Sequence, residues 1–221
     1  MYSLKTSELF DLSHTAAREL FEGAEYPWQT LPKIKDFIKA LISTLPTDEY
    51  IAPSDDVRIS KRAVIAPSAT VLGPAVIGSD TELRTGAYIR GAVIIGEGCV
   101  VGNSCEIKNS ILFDGVQVPH FNYVGDSILG YRAHTGAGAI TSNVKSDKTP
   151  VRIRTENRYV ETGLRKLGAI VGDRVEIGCN CVLNPGTVIG RDSTVYPLSS
   201  VRGAIPANSI FKASGHIVQK Y

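Results

Sequence analysis

From Ile59 onward the chain sets a branched aliphatic at every sixth residue: Ile59, Ile65, Val71, Ile77, Leu83, Ile89, Ile95, Val101 and Ile107. Four places after each stands a second, mostly small residue: Ala63, Ala69, Ala75, Thr81, Ala87, Val93, Cys99, Cys105 and Ile111. The alternation returns at Val171, Ile177, Leu183, Ile189, Val195 and Val201, with Val175, Cys181, Thr187, Ser193, Ser199 and Ile205 as companions. A helix cannot produce a beat of six, whereas short strands joined by bends and stacked coil upon coil can. Glycine and proline fall between the inward positions, where the chain must turn. Ahead of the repeat, "SELFDLSHTAARELFEG" carries apolar residues at helical spacing and ends near Gly23, and "LPKIKDFIKALIST" predicts a second helix with proline near its start. The expected architecture is all-β: a parallel β-helix over 51–221 behind an N-terminal helical segment over 1–50.

This beat resembles the hexapeptide repeat of left-handed parallel β-helices. The resemblance implies triangular coils of three hexads and the left hand, which the spacing does not fix. Residues eighteen apart then lie over one another at about 4.8 Å. Arg90 and Lys108 are such a pair, each following an inward aliphatic, so both point outward from one edge. Two cations so placed repel unless an anion or carboxylate lies between them; they are either solvated surface charges or a clamp for phosphate. Phe113 and Pro119 keep the beat, but the next series is Tyr123, Leu129, Thr135 and Thr141, two residues early. The phase is expected to slip inside "PHFNY", distorting one corner and exposing polar side chains.

Composition narrows the partners. A chain of 221 residues, 43% hydrophobic and 21% charged, suits one globular domain with or without an appendage. A formal charge of +2 without a Lys/Arg-rich block argues against nucleic acid. No stretch reads as a signal peptide or a membrane span, and the expected location is cytoplasmic. The spacing of Cys99, Cys105, Cys179 and Cys181 matches no usual zinc motif, and three of them read as reduced core fillers with Cys179 outside the inward pattern. The histidines are His14, His120, His134 and His216, with no third at a spacing that suits a three-histidine zinc site, so no metal is expected. At about 144–168 the hexads lapse, and the alternation around Val151, Ile153 and Tyr159 predicts a projecting hairpin. Its basic excess, from Lys145, Lys148, Arg152, Arg154, Arg158, Arg165 and Lys166, leaves three readings: closure over an anionic ligand, a grip on a neighbouring subunit, or plain solvation.

The stretches "VGNSCEIKNS", "VPHFNYVGDS" and "HTGAGAITSN" resemble the acetyltransferase domain of the bifunctional bacterial glucosamine-1-phosphate acetyltransferase/N-acetylglucosamine-1-phosphate uridyltransferase family. By that resemblance His120 is the catalytic base, Arg90, Lys108 and Tyr123 hold the sugar phosphate, and Asn143 is a further substrate contact. His134 stands where the family has a substrate-contacting asparagine, Val144 where it has a tyrosine, and Lys148 only near its lysine. Ala137, Cys179 and Pro197 align with positions lining the acetyl-CoA groove between subunits of a homotrimer. The chemistry needs such a set, because the acceptor amine is largely protonated near neutral pH and a neutral imidazole suits removal of that proton. Backbone N–H groups of 136–138 are candidates to steady the thioester oxyanion. The expected function is acetyl-CoA-dependent N-acetylation of an amino-sugar phosphate such as glucosamine-1-phosphate; the alternative is a non-catalytic trimeric scaffold that kept the sugar-phosphate pocket. The segment ahead of the repeat is shorter than that family's nucleotidyltransferase domain and lacks its Gly-rich loop, so uridyl transfer is not expected.

Overall fold

The beat of six builds three parallel sheets that wrap one core, and the computed structural model describes this for residues 4–212 and 215–220. The architecture is the left-handed parallel β-helix that the resemblance implies. On the first face, strands such as Ala75–Ile77, Val93–Ile95, Ser110–Leu112 and Ile128–Leu129 stack in parallel. The second face carries Val100–Asn103, Gln117–His120, His134–Thr135 and Glu176–Ile177. The third carries Tyr88–Arg90, Glu106–Lys108, Tyr123–Gly125 and Ile140–Thr141. The chain visits the faces in that order, so each coil has a first corner (face one to two), a second (two to three) and a third (three to one).

The aliphatic series forms the inward columns: Ile77, Ile95, Leu112 and Leu129 on face one, and Ile89, Ile107 and Val124 on face three, all buried. Burying one such side chain contributes about 1.5–3 kcal/mol. Cys99, Cys105 and Cys181 are buried fillers and Cys179 is exposed.

Strand register relocates the slip. Val93 pairs with Ser110, seventeen residues on, whereas Tyr88 still pairs with Glu106 at eighteen. One residue is therefore lost at Asn109. Ile111 pairs with Ile128 while Glu106 pairs with Tyr123, so the second loss falls between Tyr123 and Ile128. The two-residue slip is thus two single deletions, both at the third corner, and neither lies in "PHFNY". Tyr123 is consequently an outward residue with Val124 inward, and Ser110, not Ile111, is the inward companion. Apolar residues at 113 and 119 masked the first deletion.

Face one is buried on both sides. Its outward row, Val76, Ile94, Ile111, Ile128, Ile170 and Val188, is buried, and the N-terminal segment packs on it at strands Ala75–Ile77 and Val93–Ile95. Among the described residues of that segment only Ile34–Ile42 is a sustained α-helix, with Ile34, Ile38 and Ile42 buried at four-residue spacing. The stretch read as a first helix is instead a single turn at Thr6–Leu9 followed by 3-10 turns at Leu12–His14 and Arg18–Phe21. Local side-chain bonds break it: the Asp11 carboxylate accepts the Ser13 N–H at 3.0 Å and the Thr15 hydroxyl accepts the Ala17 N–H at 3.1 Å. The segment is tied down by buried Asp173, whose carboxylate accepts the Asp11 N–H at 2.8 Å and the Tyr131 N–H at 2.9 Å.

The hairpin pairs Arg152–Arg154 with Tyr159–Glu161 and lies against the coils instead of projecting. Val151 and Ile153 are buried. At Gly203, with φ of 84°, an added Cβ would stand 2.5 Å from the Arg154 carbonyl, so glycine is what lets the hairpin backbone settle on the third corner.

Candidate functional site

Two groups of the expected residues are gathered along different edges. At the second corner, register and a ladder of backbone bonds stack Asn103, His120, Ala137, Cys179 and Pro197. The carbonyls of Asn103, His120, Ala137 and Cys179 accept the N–H groups of Phe121, Gly138, Asn180 and Leu198, each one coil on. His120 thus shares a column with all three expected cofactor positions. It ends strand Gln117–His120, is exposed, and its ring makes no hydrogen bond among the described residues. Such a ring keeps both nitrogens free for a substrate.

On face three, strand Glu106–Lys108 sits between Tyr88–Arg90 and Tyr123–Gly125. Arg90 and Lys108 are resolved by carboxylates that sequence reading did not assign to them. Arg90 Nη1 donates to Glu106 Oε1 at 2.8 Å, and Lys108 Nζ lies 3.2 Å from Asp126 Oδ2. Asp126 is buried and also accepts from Asn109 Nδ2 at 2.7 Å and from Asn143 Nδ2. Asn143 in turn reaches the Tyr123 hydroxyl at 3.3 Å. Burial, and then the charges of Asp126 and Glu106, push the Tyr123 phenol above its ordinary pKa, so it stays a neutral donor. Lys108, Tyr123, Asn143 and Asp126 therefore form one polar cluster at the third corner, with Arg90 one coil away. The ammonium and guanidinium each keep donors that their carboxylates do not use. Asp126 was legible in principle, eighteen residues past Lys108.

His134 does not join either group within the chain. It opens its strand opposite Gln117, and its Nδ1 sits 2.8 Å from Glu176 Oε2. His120 lies three residues further along the neighbouring strand, about 10 Å away along the face. The groove beside His134 is lined by Asp80, Glu97, Asp114, Tyr131 and Arg132.

The oxyanion expectation at 136–138 is corrected for its two glycines. Gly136 N–H donates to the Ile177 carbonyl at 2.6 Å and Gly138 N–H to the His120 carbonyl at 3.0 Å, so both are spent in the coil ladder. Val144 is exposed and Lys148 is exposed with a positive φ of 58°, beyond the cluster's hydrogen bonds. Among the described residues, no group of three His, Cys, Asp or Glu side chains could hold a metal ion, and no helix is long and apolar enough to cross a membrane.

Sequence comparison finds likeness over most of the chain. A family described as the GMPPB C-terminal domain matches residues 54–156. The bifunctional protein GlmU of Methanococcus maripaludis is 37% identical over 172 residues, covering 77% of this chain and 42% of that protein. A bifunctional sugar-1-phosphate nucleotidylyltransferase/acetyltransferase of Sulfurisphaera tokodaii is 32% identical over 166 residues, 67% of this chain and 41% of its own length. The chain therefore spans about two fifths of the length of these curated relatives. A solved structure of a perosamine N-acetyltransferase variant from Caulobacter crescentus, with CoA and GDP-perosamine, is 18% identical at a TM-score of 0.36, covering 73% of this chain and 56% of that one.

Proposed function

We propose that this chain, a hexapeptide-repeat protein similar to the bifunctional sugar-1-phosphate nucleotidylyltransferase/acetyltransferases, is an acetyl-CoA-dependent N-acetyltransferase of an amino-sugar phosphate such as glucosamine-1-phosphate. The observation that carries this reading is the placement of His120, exposed and with an unbonded ring, in one column with Ala137, Cys179 and Pro197. The thioester laid along that column comes beside the imidazole. His120 takes one proton from the acceptor ammonium, the freed amine attacks the thioester carbonyl, the C–S bond breaks, and CoA leaves as the thiol with the second proton that the attacking nitrogen gives up. Arg90, Lys108 and Tyr123 hold the phosphate with the donors their partners leave over, and Asn143 braces the acceptor.

The site is composite in this reading. Phe121 (63% exposed) and Leu198 (74%) jut from the second corner at positive φ, beside exposed Ile140 and Val182 on face three. An apolar strip of this kind suits a second copy of the chain, and a homotrimer brings a neighbour to that edge. His134 then reaches the acceptor from a neighbouring subunit or not at all.

The alternative, a trimeric sugar-phosphate-binding scaffold without catalysis, draws on the carboxylates that already engage Arg90 and Lys108. A thermal-shift panel of acyl-CoAs and sugar phosphates tests both readings, since a ligand of the native state raises its melting temperature by mass action. Acetyl-CoA and glucosamine-1-phosphate should each stabilise the protein. Stabilisation by sugar phosphates alone favours the scaffold, and stabilisation by neither removes both.

A further inference from the structure

Six coils pass the second corner through a left-handed residue, and in five of them the position just after it holds a small filler: Ala87, Cys105, Ala139, Cys181 and Ser199. Their work is simple. Cys105, Cys181 and Ser199 give one hydrogen to a nearby carbonyl, and the two alanines give none. In the coil that carries His120 the position is Asn122, 3% exposed. A buried amide is costly unless its donors and acceptor are all met, and here they are. Its Oδ1 accepts the His120 N–H at 3.0 Å. Its Nδ2 donates to the Gly136 carbonyl at 2.8 Å and the Ala139 carbonyl at 3.1 Å, one coil on. Cys105 Sγ also lies 3.5 Å from that Oδ1.

Five coils close this corner without an amide, so corner closure does not explain the asparagine. What Asn122 adds is a clamp on the backbone of His120 and a tie from it to the segment containing Ala137. The intervening Phe121, at φ 52°, is a bulky residue in the left-handed region, a conformation that persists only where its surroundings impose it. The hydrogen bond from His120 N–H to Asn122 Oδ1 spans that strained residue.

We propose that Asn122 is the positioning residue for the His120 imidazole, setting its direction and its place relative to the Gly136–Ala139 stretch of the next coil. This rests on the reading of His120 as the base; Asn122 itself touches no reacting atom. The test is Asn122→Ala, which installs the filler of two other coils, with Asn122→Ser as a second variant that keeps a hydroxyl as at Ser199.

Histidine-ring ¹H–¹⁵N correlation spectra of the whole protein give a readout that does not depend on the acceptor. Wild type should show one set of His120 ring signals. Both variants should shift, split or broaden that set while the His134 set stays in place, the protein staying folded at a lower melting temperature because the buried amide's partners lose their hydrogen bonds. With acetyl-CoA and glucosamine-1-phosphate, kcat should fall about tenfold or more at unchanged KM for acetyl-CoA, the signature of a misplaced group. In a His120→Ala background the same substitution should cost nothing further. Unmoved His120 signals in both folded variants overturn the proposal. If His120→Ala itself transfers acetyl groups at the wild-type rate, the base reading fails on its own, and the ring spectra still decide whether Asn122 sets the imidazole.

Discussion

Replacing His120 with alanine should lower the acetyl-transfer rate by about 10²- to 10⁴-fold, the usual worth of a positioned base, with the melting temperature nearly unchanged. Folding is spared because the ring is exposed and makes no hydrogen bond, while the backbone bonds of the residue to Asn122 and Gly138 survive the substitution. Loss of Lys108 should show itself differently, chiefly as a higher KM for the sugar phosphate, since in the proposed reading its ammonium holds the ligand in both ground and transition states. Steady-state kinetics on both variants across neutral pH separates the roles. A His120→Ala enzyme at the wild-type rate would hand the chain to the scaffold reading.

Asp173→Ala should destabilise the fold by about 2–4 kcal/mol, measured by denaturant titration. The carboxylate is fully buried, and its removal strands the N–H groups of Asp11 and Tyr131 together with Arg191, whose Nε lies 3.2 Å from Oδ2 though off the line of a hydrogen bond. The Asp173 N–H itself donates to the Leu9 carbonyl, so this one residue fastens the N-terminal segment to the coils. Hydrogen exchange should accordingly quicken first in that segment, ahead of the β-helix. A loss under about 0.5 kcal/mol, the range of ordinary surface changes, would show that the segment is held by its apolar face alone.

The columns of the core were legible in the sequence because burial repeats once per hexad: every aliphatic from Ile77 to Ile107 lands where counting puts it. So were the filler role of the buried cysteines and the outward thiol of Cys179. Counting failed where length changed. Since Phe113 and Val118 are both buried, apolar residues occupied the old and the new phase alike, and only strand register tells them apart. The partners of the cations escaped notice for a different reason. Outward residues obey no hydrophobic period, so the pairing of Arg90 with Glu106 and Lys108 with Asp126 depends on which corner each side chain leans over. The N-terminal segment was misread because its apolar spacing is helical while its Asp11 and Thr15 side chains compete with the helix for backbone N–H groups. Asn122 left no periodic signal, beyond being the one amide in a column of small residues.

Every departure from eighteen residues per coil is confined to the third corner. Beyond the two single deletions, Ile128 pairs with Ile170 across the inserted hairpin, and Val188 pairs with Ala204, sixteen residues on, while Val182 still pairs with Ser200 at eighteen. This edge behaves as an adjustable seam: chain is added or removed there and the next strand resumes its place, so no error reaches the other two edges. The polar cluster of Lys108, Asp126 and Asn143 hangs on the seam, and the His120 column stands on an edge whose spacing never varies. If the cluster grips the acceptor as proposed, a change of loop length can re-cut that pocket without moving the imidazole by a residue, which makes the seam the place to graft loops when a different sugar is wanted.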